Sequence, residues 1–263
     1  MEDLNLPFPW KTLGRLAVAL VRNQPLSFRA ESLACLQQAN GRVKFLGREF
    51  IPQSGPCLLT INHFTRPGVP AWWLSIAASA AVPMEIHWIA TQGWTFNDRP
   101  ALRFVTPITY WLFPRASALL GFSSMPPMPP DPKEVKARAA AVRKVIAYLR
   151  TDPQPVIGLA PEGQDTPEGA LIQPPSGVGR FIHHITRRCP RIIPIGAYSE
   201  PGALCVRFGP EYRVDVPPRM SPDEVDQSVS RVVMQHIALL LPENLRGPFD
   251  GGFREVLSPE QFS

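Results

Sequence analysis

Proline recurs so often along this chain that no regular element can run far before it is interrupted. There are 32 prolines in 263 residues, about 12% where ~5% is usual. Each fixes its own φ and lacks an amide donor, so it ends helices and stays out of central strands. They are spread between apolar segments, and only 126–132 is dense enough to read as a proline-rich loop. Short elements joined by tight turns in a compact fold are therefore expected. The same interruptions, with Arg103 and Arg115, leave no window of the roughly 18 to 20 uncharged apolar residues that a bilayer-spanning helix needs.

The segments between prolines are of two kinds. Residues 10–22 place Leu13, Leu16, Ala17 and Leu20 beside Lys11, Arg15 and Arg22. That is a basic amphipathic helix, which can lie on a membrane or turn its apolar side to the protein's own core. Residues 43–50 and 57–61 read as two strands around a turn at 52–56, and 72–82 as a buried, alanine-rich helix. Asp131-Pro132-Lys133-Glu134 supplies a capping acid, a proline for the first helical position and a glutamate spaced for a capping box. Val135, Ala139, Val142, Ile146 and Leu149 then form one stripe. Strands are expected at 156–160, 191–197 and 204–208, and helices at 181–188 and 225–241. Strands alternating with helices predict an α/β fold, a mixed, largely parallel sheet flanked by helices, with strand ends as the natural place for a site.

An apolar content of 44% and a mean hydropathy near zero suit one substantial core. The expected organisation is an amphipathic helical region at 1–40, a main domain at 41–247 and a tail at 248–263. The net charge of +5 comes from basic residues interleaved with apolar ones, which argues against nucleic acid as a partner and suits an anionic membrane surface. Cys35, Cys57, Cys189 and Cys205 lack C-x-x-C spacing and read as buried thiols in a reducing compartment. Glu2 and Asp3 and the absence of a clean apolar stretch in 1–30 argue against a cleavable signal. The expected location is the cytoplasm, at the cytoplasmic face of a membrane.

The segment richest in chemistry is Leu59-Thr60-Ile61-Asn62-His63-Phe64-Thr65-Arg66-Pro67-Gly68, where a strand delivers a histidine at its C-terminal end. A lone histidine is more often structural than catalytic. Several other features take their plainer reading. His183 and His184 point about 100° apart on a helix with no third ligand nearby, so no metal is expected. Gly177-Val178-Gly179 lacks the rest of a nucleotide-binding fingerprint, and no G-x-S-x-G elbow occurs. Trp72, Trp73, Trp88, Trp94 and Trp111 read mostly as core, with those at 88–111 also able to line an acyl groove or meet a membrane interface.

Several motifs occur in order around His63. Val43 to Pro52, Gly55-Pro56 and Asn62-His63 are followed by Pro161-Glu162-Gly163, then Gly169, Gly177 and Arg180, then Ile192-Ile193-Pro194-Ile195, and finally Val206 to Pro210, Leu240 to Pro242 and Arg246-Gly247. Over about residues 43 to 247 this order resembles the glycerolipid acyltransferase family, the 1-acylglycerol-3-phosphate acyltransferases. The resemblance implies transfer of an acyl chain from a thioester donor, on coenzyme A or acyl carrier protein, to a hydroxyl of a lipid acceptor. His63 would be the general base, and Asn62, Arg66, Glu162, Gly163 and Arg180 would contact substrate. Neither a cofactor nor a metal is implied.

Position 68, where the family carries an aspartate that orients the histidine, is glycine. In a triad enzyme, loss of that carboxylate's charge costs ~10⁴ in rate. Asp98, Glu85 and Glu162 are the candidate substitutes, with a backbone carbonyl or water as further options. Arginines that some members place in the second motif and after P-E-G are also missing, and Gly163 is followed by Gln164 and Asp165. An aspartate repels phosphate, so the acceptor need not carry a phosphomonoester. Two other readings follow from the same residues, a catalytically inactive lipid- or acyl-binding relative and a hydrolase that uses water as acceptor.

Overall fold

The computed structural model describes residues 4–95, 100–128, 131–165 and 169–250. In chain order these form α1 (Trp10–Arg22), α2 (Phe28–Gln38), β1 (Val43–Leu46), β2 (Cys57–Ile61), α3 (Trp72–Ala81), β3 (His87–Thr91) and α4 (Val105–Leu119). They continue with β4 (Ser123–Met125), α5 (Val135–Thr151), β5 (Val156–Leu159), α6 (Val178–Thr186), β6 (Arg191–Glu200), β7 (Ala203–Phe208) and α7 (Pro222–Ala238). The strands make one sheet of seven in the order β1-β7-β6-β2-β5-β3-β4. Neighbours run parallel except in the β6–β7 hairpin. This is the expected α/β class, a largely parallel sheet flanked by helices.

β2 lies at the centre of the sheet, and all five of its residues, CLLTI, are buried. A strand covered on both faces reads as such a continuous apolar run. β5 on one side is equally buried, and β6 on the other is buried through Tyr198. β2 and β5 pair in register, Cys57 with Val156 through Thr60 with Leu159. Because they run parallel, the loops that leave their C-terminal ends emerge side by side, and the site is built there.

Several boundaries differ from expectation. The segment 43–50 is a strand only to Leu46, because Gly47 turns the backbone to φ +63° and a 3₁₀ turn follows. β1 also does not pair with β2; it forms the sheet edge beside β7. Before α5, Asp131 caps a 3₁₀ turn by accepting from the Lys133 amide, and the helix starts after Glu134. The buried line of α5 is Ala141, Val145 and Leu149, while Val135 is exposed, so the predicted stripe is displaced around the helix. Trp73 and Trp88 are core residues, but Trp94 and Trp111 are exposed. Most of the expected tail at 248–263 lies outside the described residues. Among the described residues no helix is long and apolar enough to cross a membrane.

Candidate functional site

At the end of β2, Asn62 is almost wholly buried and both ends of its amide are committed. Its Nδ2 donates to the Ala197 carbonyl (2.9 Å) and its Oδ1 accepts from the Ala197 amide (2.7 Å). The side chain thus extends the β2–β6 ladder by one rung. Asn62, expected at substrate, instead fixes the backbone that delivers the next residue, His63.

From the adjacent end of β5 the chain turns through Ala160 to Gly163, with the Gly163 amide donating to the Ala160 carbonyl (3.2 Å) and Gly163 at φ +67°. Glu162 is thereby buried behind His63. One carboxylate oxygen accepts from the His63 backbone amide (2.7 Å) and the other from the Ile172 amide (2.9 Å). Burial pushes this carboxyl up to about 7 against the pull of those two donors. Glu162 therefore holds the histidine's backbone and is not the ring's partner.

The ring's partner is Asp165. Its carboxylate lies against His63 Nδ1 as an ion-pair contact, and this buried nitrogen meets no hydrogen-bonding group besides it among the described residues. Partial burial pushes the Asp165 carboxyl up. Its bond to His63 and the Thr65 hydroxyl outweigh that and hold it below its ordinary value. A carboxylate at Nδ1 requires that nitrogen to bear the proton, which leaves Nε2 as the acceptor. The His63 side chain is 27% exposed, so a substrate can reach it.

Of the candidate substitutes, Glu85 is engaged elsewhere: it accepts from the Ser27 hydroxyl and the Arg29 amide at the start of α2. Asp98 lies outside the described residues. Asp165 was missed because sequence spacing does not reveal that the loop after β5 is the spatial neighbour of the loop after β2. The local signal is an acid two residues beyond P-E-G, which by itself speaks only to the repulsion of phosphate.

Gly68 has a structural role of its own. Arg66-Pro67-Gly68-Val69 closes as a turn, with backbone bonds in both directions between Arg66 and Val69 (3.1 and 2.9 Å). Gly68 is at φ +80°, and its carbonyl accepts from the Leu6 amide (2.9 Å) of the N-terminal arm. A Cβ there would collide with the Leu4 carbonyl. Proline second and glycine third is the chemistry that a turn with positive φ demands.

Arg66 packs over the Phe64 ring, 5.8 Å from its centroid, and faces an open cleft of about 590 Å³. Arg180 stands elsewhere, on α6, with its partners on α7. Its amide and that of Gly177 donate to the Asp226 carboxylate (3.0 and 2.7 Å), and its guanidinium lies 4.0 Å from Asp223. The N-terminus of α6 is thus already capped by an internal anion.

No protein-family model matches this chain, and no curated protein matches it. Among solved structures the chain is similar to the 1-acyl-sn-glycerophosphate (LPA) acyltransferase PlsC from Thermotoga maritima, at 15% identity over 91% of this chain and 84% of that one, with a TM-score of 0.47. What His63 can do follows from its own neighbours.

Proposed function

We propose that this protein is an acyltransferase that moves an acyl chain from a coenzyme A or acyl-carrier-protein thioester to a hydroxyl of a lipid acceptor. The observation that carries the reading is the Asp165 carboxylate against His63 Nδ1. Nε2 takes the proton of the acceptor hydroxyl while its oxygen attacks the thioester carbonyl. The tetrahedral intermediate collapses with loss of the thiolate, which receives the proton back from His63 and departs as the thiol. Asp165 holds the tautomer and stabilises the imidazolium in between. Glu162 and Gly163 shape the loop behind His63, and Arg66 supplies positive charge nearby.

The lipid acceptor implies a membrane surface as partner. α1 and α4 pack together, and neither contains an acid. Trp10 and Val21 of α1 are 73% and 89% exposed, and Ile108 and Trp111 of α4 are exposed as well. Arg115 stacks on Trp111 at 4.5 Å. Two acid-free helices that carry exposed aromatics and cations fit the headgroup region of an anionic leaflet, and peripheral attachment at the cytoplasmic face is the corresponding location. The inactive-relative reading loses its main support, since Gly68 is required by the turn and a carboxylate reaches the ring from elsewhere.

The test uses the purified full chain, labelled acyl-coenzyme A and acyl carrier protein, and vesicles made from a total lipid extract. Labelled product lipid is expected, with a drop of about 10³-fold or more in His63→Ala. Undiminished transfer by the alanine variant would overturn the mechanism. Stoichiometric release of free fatty acid without acceptor would instead make the protein a hydrolase.

A further inference from the structure

Helix α5 carries five cations and no acid along its 17 residues. Arg138 turns inward to Glu134 and the Pro127 carbonyl. Lys136, Arg143 and Arg150 are exposed at seven-residue intervals, which puts them in one line, opposite the buried Ala141, Val145 and Leu149. We infer that this line is a docking surface for an acidic protein, the acyl carrier protein that brings the acyl group as its thioester. The inference rests on the acyl-transfer reading and says how one of its two donors is recognised.

Four observations carry it. Among the described residues Lys136, Arg143 and Arg150 enter no ion pair, and neither does Lys144 beside them. A helix face that only has to be solvated gains by setting Glu against Lys four residues apart, since unbalanced like charges repel. This face instead separates its cations with Ala140 and Ala147, whose small side chains leave the charges prominent. Second, the basic surface continues onto α6, which packs on α5. There Arg188 donates to the Leu149 carbonyl (3.3 Å) and Arg187 is exposed. Third, Lys136 to Arg150 spans about 21 Å of helix, which suits a partner's helix and exceeds what one phosphate group engages. The apolar side of α5 is spent on the protein's own core, so the helix has none to insert into a bilayer, as an interfacial helix must. Fourth, β4 and β5 both run parallel to β3, so α5, which joins them, begins at the end of the sheet where His63 lies. Arg138 there holds Pro127 (3.0 Å) and Met128 (3.5 Å to Sδ), and Met128 packs against Gly163 of the loop behind His63. A carrier docked along the line therefore has its thioester arm within that end of the molecule.

Steady-state transfer is measured with acyl carrier protein and coenzyme A bearing the same acyl chain, on the full-length protein and on the triple variant Lys136→Glu, Arg143→Glu, Arg150→Glu. With the carrier-bound donor kcat/KM is expected to fall about tenfold or more, through KM, while with acyl-coenzyme A it stays within about twofold. Added salt should weaken use of the carrier by the unaltered protein. Equal losses with both donors, or no loss with the carrier, would overturn the surface. Independently of turnover, holo acyl carrier protein is titrated into both proteins in a calorimeter, with anionic vesicles and a short DNA duplex as competing polyanions. Carrier binding that survives charge reversal would overturn the surface. So would DNA binding as tight as carrier binding, or vesicle binding that falls as far as carrier binding does. The milder set Lys136→Gln, Arg143→Gln, Arg150→Gln, with a smaller expected drop, serves if charge reversal prevents folding. A protein that binds the carrier through α5 but transfers no acyl group keeps the surface and loses the enzyme. One that transfers from the carrier without regard to α5 does the reverse.

Discussion

At position 68 a side chain is excluded twice, by a φ of +80° and by the Leu4 carbonyl that a Cβ would strike. An acid could therefore serve His63 only from another segment, and Asp165 does so from the loop after β5. Asp165→Asn keeps the shape and removes the charge. Its kcat is expected to fall about 10³- to 10⁴-fold with both KM values little changed, and an unchanged kcat would remove Asp165 from the mechanism. Adding Gly68→Asp to that variant should restore nothing and should lower Tm, since positive φ and the collision both strain the turn. His63 itself was legible, because a histidine at the end of an apolar strand within ordered motifs is a local signal. Its partner was not, because the pairing is a property of strand order.

Elements differ in how clearly the sequence marks them. α1 was readable to the residue, since nothing in 10–22 competes with its helical period. α4 was not, because Pro107 and Pro114 argue against a helix; Pro107 falls in the first turn, where an amide is unpaired in any case, while Pro114 is tolerated within the helix. β3 and β4 are short and part polar, and their places at the far side of the sheet come from parallel pairing that no local pattern announces. The splice between β2 and β6 through Asn62 gives a test at this scale. Asn62→Ala leaves the buried Ala197 amide and carbonyl without partners, and about 2 to 5 kcal/mol of stability should be lost. Urea unfolding measures it, and a loss below ~0.5 kcal/mol would mean that Asn62 does not bind the strands together.

Across the whole molecule, stability should depend on pH in two opposing ways. Burial pushes His87, stacked on Tyr148, and His236, stacked on Tyr212, down to about 4. Their contribution is present above the ordinary histidine value and is lost as pH falls from about 6.5 toward 4, at most on the order of 3 kcal/mol each. Glu162, raised to about 7 by burial, works with the opposite sign: its contribution is present below about 4.5 and is lost as pH rises through 7. His183, lowered by burial as well, acts with the same sign as these two, so the histidines outweigh the one carboxyl and leave a net gain as pH climbs from 4.5 to 6.5. Glu162→Gln should steepen that gain, as read by chemical unfolding at a series of pH values. A slope unchanged by the variant would show that Glu162 stays ionised in the fold.

The link between His63 and Glu162 joins residues 99 apart in the chain, and it forms only when β2 and β5 lie side by side. Closing so long a loop comes late in the search for the native topology. Helices can form early from local sequence, but the reactive centre cannot exist before the middle of the sheet does. Recovery of catalysis during refolding would therefore lag the recovery of helical signal, making the active centre a clock for the completion of the sheet.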